Sequence, residues 1–163
     1  MRYFDGTTWS EPHHGSHLPI MAIWGSDPAN TWAVGLQGTI NRLAGHEWAR
    51  AGKDEGPNYL GIWGSAANDV WIVGSSGAIL HWNGEAHTSV PSGTQSDLHG
   101  VRAFSAKDAW AVGDDGTILR WEGSGWKSAK SPSPRALLGI WGSSANDIWI
   151  VGENGVVLRR QQG

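Results

Sequence analysis

The chain is predicted to be all-β, built from one four-stranded unit used four times. Three observations carry that prediction. Trp32, Trp71, Trp110 and Trp149 recur every 39 residues, and so do two glycine columns, Gly35, Gly74, Gly113, Gly152 and Gly38, Gly77, Gly116, Gly155. An anchor column at the same spacing holds Trp24, Trp63 and Trp141, with Arg102 in the third place. A period that long, kept without insertion, marks one supersecondary unit repeated. Within each unit the apolar runs are short, rich in Trp, Ile, Val and Leu, and bounded by Gly, Asn, Asp and Ser. That is strand punctuation, and no run is long enough for an amphipathic helix.

The second unit shows the elements in order. Strand a is expected over residues 60–64, a turn over 65–69, strand b over 70–74, and a tight turn at Ser75-Ser76-Gly77. Strand c follows over 78–82, and a hairpin at Asn83-Gly84 leads to strand d near 87–90. Asn and Gly tolerate positive φ, which such a hairpin requires. Four-stranded sheets repeated radially at about 40 residues per blade make a β-propeller. The expectation is therefore one domain over residues 1–163, a β-propeller of four blades. Residues 1–9 align with 118–126, and the last unit stops before its strand d, so the N-terminal strand is expected to complete the C-terminal blade. Residues 1–7 also duplicate the positions of 157–163, which fits a piece of a longer propeller or a homo-oligomer completing a larger one.

Bulk properties bound the function. A formal charge of −3 and a pI near 6.1 give no basic footprint, so nucleic acid is not an expected partner. No apolar run is long enough for a membrane span, and the N-terminus does not read as a signal peptide, leaving the compartment open. With no cysteine there is neither a disulfide nor a thiolate ligand or nucleophile.

The unit Leu-x-Gly-Ile/Val-Trp-Gly-Ser-x-x-Asn-Asp-Val-Trp-x-Val-Gly-x-x-Gly-x-Ile-Leu is carried by residues 61–80 and 139–158, with weaker copies at 22–41 and 100–119. It resembles the Trp-Gly-Ser repeat propellers of myxobacteria and related δ-proteobacteria, and more distantly the BNR-type propellers and the photosystem II assembly factor. That resemblance implies binding or scaffolding, mostly in exported proteins, and no shared active site. Residues 5–9 resemble a degenerate Asp box, which is a structural turn, and no sialidase arginine triad or Tyr nucleophile is identifiable.

In a repeat, residues that depart from their column are the candidates for function. His99 stands where Met21, Leu60 and Leu138 stand, His87 replaces the Trp of Trp48 and Trp126, and Arg102 replaces the anchor Trp. The Asp69, Asp108, Asp147 column, Asn30 in its first copy, is expected to brace a–b turns, and Arg42, Arg120 and Arg159 to be solvated. Propeller topology puts the d–a segments and b–c turns on one face, gathering His13, His14, His17, Asp97, His99, Asp114, Asp115 and Glu153 there. The leading expectation is a binding or scaffold module that recognises a glycan, peptide, protein or small-molecule ligand on that face, with Arg102 and an aromatic platform of Trp48, Trp82, Trp121 and Trp126 as the binding residues. The alternative is a metal-dependent hydrolase of esters, lactones or phosphoesters. His13, His14, His17 and His99 would hold zinc or another divalent first-row ion there, with Asp97 or Asp115 as base. The bland counterpart is a solvated polar loop, since the His spacing is no recognised zinc motif. A Ser-His-Asp hydrolase through Ser16 lacks its nucleophile elbow. The short acidic Gly113–Gly116 turn suits neither phosphate nor an EF-hand calcium ion.

Overall fold

The computed structural model describes residues 6–8, 17–44, 47–52 and 55–161. The first sheet holds β1 (Ile20–Gly25), β2 (Thr31–Gly35), β3 (Ile40–Ala44) and β4 (Glu47–Arg50), paired antiparallel in chain order. The second repeats this with β5 (Tyr59–Ala66), β6 (Asp69–Gly74), β7 (Ile79–Trp82) and β8 (His87–Ser89). The third holds β9 (Leu98–Ser105), β10 (Asp108–Gly113), β11 (Ile118–Trp121) and β12 (Trp126–Ser128). The fourth, β13 (Leu137–Ser144), β14 (Asp147–Gly152) and β15 (Val157–Gln161), has three strands among the described residues. The N-terminal strand expected to complete it falls largely on residues 1–5 and 9–16, outside the described residues.

Each sheet packs on the next through its first two strands, β1 on β5, β5 on β9 and β9 on β13. No comparable junction joins the fourth sheet to the first among the described residues, so no ring closure is seen. No helix of the described residues is long and apolar enough to cross a membrane.

Side chains alternate along a strand, so each b strand buries a different residue set against each neighbouring sheet. Trp32, Val34 and Ile40 of the first blade meet Tyr59, Ile62, Val70 and Ile72 of the second. Trp71, Val73 and Ile79 then meet Leu98, Val101 and Ala111, and Trp110, Val112 and Ile118 meet Leu137, Ile148 and Ile150. The b strands of the first three blades are buried on both faces, as their continuous apolar runs require.

The b-strand Trp is the centre of every junction. The ring centroid of Trp32 lies 5.1 Å from Trp82 and 5.2 Å from His87 of the next blade, the second pair at 89°. Trp71 lies 4.9 Å from Trp121 and 5.1 Å from Trp126, the second pair at 88°. The geometry is the same step taken twice. At the third junction Arg160 takes the place of the c-strand Trp, its guanidinium 5.2 Å from the Trp110 ring. Edge-to-face aromatic pairs and cation–π contacts of this kind add to the apolar area they bury.

The anchor column adjusts to its neighbour. Trp24 roofs Gly64, where a Cβ would come within 2.5 Å of its ring. The equivalent of Gly64 in the third blade is Ala103. There Trp63 instead stacks under the Arg102 guanidinium at 3.9 Å, and Phe104 covers Gly142. Arg102 also donates from Nη2 to the Gly142 carbonyl at 2.7 Å.

His87 fills a Trp column and its Nε2 is buried without a hydrogen-bond partner. Burial pushes its pKa below the ordinary 6.5, because the charged imidazolium is disfavoured there. The unfolded chain then binds the proton that the folded chain refuses. This contribution to stability is present above pH 6.5 and is lost as pH falls below it. His87→Trp, which matches the Trp126 geometry, is expected to raise stability by about 1 kcal/mol. Thermal melts at pH 7.5 and 5.5 check this, since the variant's melting temperature should fall less on acidification than the parent's.

Candidate functional site: the face of the b–c turns

Every b–c turn has the same backbone. Gln37, Ser76, Asp115 and Asn154 carry φ of 54°, 55°, 56° and 55°, and each is followed by a glycine with φ between 67° and 77°. Two consecutive left-handed residues are the signature of a type I′ turn. The first position therefore holds residues of varied chemistry on one rigid frame. The frame is tied to its own blade by Ser75 N–H donating to the Asn58 carbonyl and Asp114 N–H to the Asp97 carbonyl. It is tied to the next blade by Gln37 N–H donating to Asn58 Oδ1 and Ser76 N–H to Asp97 Oδ1, at 3.0 and 2.7 Å. The d–a segments and b–c turns thus share a face.

A groove runs along this face. One cleft of about 680 Å³ lies on the third blade, between its b–c turn and the d–a segments that flank it, lined by Asp115, Thr117, Ser128, Lys130, Ser131 and Ser133 among others. A second of about 410 Å³ lies on the second blade and the d–a segment that leaves it, reached by Ser76, Ser89 and Gln95. Both are bounded by Ser92, Gly93 and Thr94, where they meet. The lining is hydroxyl-rich, with an exposed carboxylate at Asp115 and an exposed ammonium at Lys130.

Of the residues singled out from the sequence, the structure brings four together here. His99 Nε2 and Asp114 Oδ1 are 2.7 Å apart, and Asp115 Oδ2 accepts from Ser96 Oγ at 3.2 Å, while Asp97 braces the Ser76 turn. Asp97 is thus an acceptor at a blade junction, and Asp115 one within its own blade. His17 is exposed, and His13 and His14 lie outside the described residues. Among the described residues no group of three or more His, Asp or Glu is placed to hold a metal ion.

The residues of the expected aromatic platform are engaged in packing to different degrees. Trp126 is buried, and Trp82 and Trp121 are half-buried against Trp32 and Trp71, their indole N–H groups donating to the Ala67 and Ala106 carbonyls. Trp48 is half-buried in the outer strand of the first blade. Arg102 is engaged with Trp63 and Gly142 between blades.

A second set of columns has partners that sequence reading missed. Arg42 donates to Asn30, His81 pairs with Asp69, Arg120 with Asp108 and Arg159 with Asp147, each twelve residues apart. Each basic side chain also lies on its own b-strand Trp, at 5.0 Å for Arg42, 4.1 Å for His81, 5.2 Å for Arg120 and 4.7 Å for Arg159. Burial alone would raise the Asp69 carboxyl. Hydrogen bonds from His81 and Ser65 outweigh it and hold the pKa below the ordinary range. These columns are therefore structural, with the basic residue covering one face of the Trp.

Fold and face together define a propeller-type repeat protein, and solved structures bear this out. No family model and no curated protein matches the chain. YCF48 from Cyanidioschyzon merolae superposes with a TM-score of 0.72 at 16% identity, over 87% of this chain and 50% of that one. YCF48 bound to D1 peptide superposes at 0.63 and 16% identity, over 96% and 67%. The WD40 β-propeller domain of Doa1 does so at 0.50 and 11%, over 96% and 69%. The chain spans about half the length of the first of these. At such identities the likeness is one of fold.

Proposed function

We propose that the chain is a binding module that takes an extended peptide segment along the groove of its b–c turn face. The observation that carries this reading is the groove itself, two clefts on the second and third blades meeting at Ser92–Thr94. Its length and its hydroxyl lining suit a backbone with polar side chains. The type I′ turns hold their variable residues rigidly, so little ordering cost falls on the protein when a ligand binds. A structural neighbour in complex with a peptide supports the class of ligand. A glycan is disfavoured because Trp82, Trp121 and Trp126 serve the blade junctions and are not presented as a stacking surface.

Asp115 at the exposed turn position favours a basic side chain in the ligand at that point. Panning a displayed peptide library on the purified chain should enrich polar sequences containing Lys or Arg. Asp115→Asn preserves a residue that tolerates left-handed backbone, as Asn154 does at the equivalent position. It is expected to weaken an enriched peptide at least about fivefold by titration calorimetry, with an unchanged melting temperature. Failure to enrich any peptide, or enrichment indifferent to Asp115 and Lys130, would sink this reading.

A further inference from the structure

Among the described residues the outer face of the fourth blade and the inner strand of the first are open, and they are the two halves of a contact the chain already makes three times. On the fourth blade, Trp141, Trp149, Val151 and Val157 are 55%, 38%, 49% and 59% exposed. The column mates of Trp149, Val151 and Val157 are Trp71, Val73 and Ile79, 0%, 0% and 2% exposed against the third blade, and Trp32, Val34 and Ile40, 2%, 0% and 4% exposed against the second, while the mates of Trp141, Trp63 and Trp24, are half-buried. On the first blade, Ile20 and Ile23 are 38% and 55% exposed, whereas Tyr59 and Ile62 are 6% and 5% and Leu98 and Val101 are 0% and 5%. Gly25 is exposed, with its nearest neighbours all on its own Thr31, where the equivalent Gly64 is roofed by Trp24 and Gly142 by Phe104. Further out on the first blade, Ala33 and Asn41 are buried, so the open part of that face is its inner strand. Soluble proteins seldom leave such a contiguous apolar face to water, and it marks an interaction site.

We propose that two copies of this chain close into one ring, the fourth blade of each seating on the inner strand of the first blade of the other. Trp141 would lie over the partner's Gly25, as Trp24 lies over Gly64, and Val151 against the partner's Ile20 and Ile23. The occupant follows from continuity with the established interface, because the fourth blade presents the surface that the inner strand of the first blade lacks. Likeness to half of a longer chain argues for a second copy over closure of a single chain. The first two junctions take the same step, and most of the array superposes on half of a propeller chain, leaving room for about as much again. The two contacts would be identical and related by a two-fold axis, which closes the assembly and prevents open-ended growth.

Analytical ultracentrifugation of the 163-residue chain at tens of micromolar tests this. The expected species has twice the 17.5 kDa mass of the chain. Val157→Arg and Ile23→Asp, on opposite ends and each 50% or more exposed in the single chain, should each raise the dissociation constant at least about 30-fold while keeping the parent's circular dichroism. An equimolar mixture of the two variants should recover a dimer, because one unmutated contact is restored. A monomeric parent, open-ended polymers, or a dimer indifferent to both substitutions would each overturn the proposal. So would a mixture that stays monomeric. The parent mass stands as a test even if a variant misfolds. Further blades of a longer chain as the true occupant would show as a monomeric parent.

Discussion

Trp71→Ala is expected to lower the unfolding free energy by about 3–5 kcal/mol, the upper range for truncation of a core side chain. The indole is fully buried between three rings, His81 stacked at 4.1 Å, Trp121 tilted at 4.9 Å and Trp126 edge-on at 5.1 Å. Removing it opens a cavity lined by aromatics from two blades that are themselves fixed by backbone pairing. Collapse of the site is therefore limited, and the cost sits toward the upper end for large-to-small substitutions. It also strips the imidazole of His81 of its stacking surface while Asp69 remains buried beside it. Urea denaturation monitored by far-ultraviolet circular dichroism checks the prediction. A loss under about 1 kcal/mol would mean that the b-strand Trp is not the centre of the junction.

The period made most of the fold legible and left the junctions hidden. Strand positions could be read because every b strand repeats an apolar run at a fixed offset from two glycines, and the shared face of Asp97, His99, Asp114 and Asp115 followed from topology alone. The inter-blade pairs were missed because they obey a different spacing. Trp32 meets Trp82, Trp71 meets Trp121 and Trp110 meets Arg160, each fifty residues on, one repeat plus the step from strand b to strand c. Columns compare equivalent places in different blades and cannot show which different places touch. For that reason Trp82, Trp121 and Trp126 read as spare aromatics when they are the other half of the clamp. The Asp–Arg pairs were legible in principle, since the twelve-residue offset recurs four times with Asn30 and His81 as substitutes. The groove was not legible at all. It is made by d–a segments whose sequences differ from blade to blade, and its shape depends on how far each segment folds over the preceding turn.

Gly74→Ala should be nearly as damaging as loss of the Trp, for a reason invisible in any side-chain contact. Gly74 has extended backbone that any residue adopts, with φ of −171°, so conformational freedom is not what requires glycine here. The requirement is proximity. A Cβ on Gly74 would lie 2.0 Å from the Asn58 carbonyl oxygen, and the same collision recurs at Gly35 with Pro19 and Gly113 with Asp97, both at 2.0 Å. Asn58 cannot yield, because its carbonyl accepts the Ser75 N–H at 2.8 Å and its side chain holds the Gln37 turn of the preceding blade. Relief requires moving the start of β5 away from the end of β6, which breaks that hydrogen bond and disturbs the groove face of two blades together. A destabilisation of about 3 kcal/mol or more is expected from overpacking against backbone plus the lost bond. Gly155→Ala is the matching control. It carries positive φ but has nothing within 4 Å of the place its Cβ would take, so its cost should be the backbone penalty of about 1 kcal/mol. If thermal melts rank Gly155→Ala as the more harmful of the two, close approach is not what fixed the glycine column, and turn conformation is.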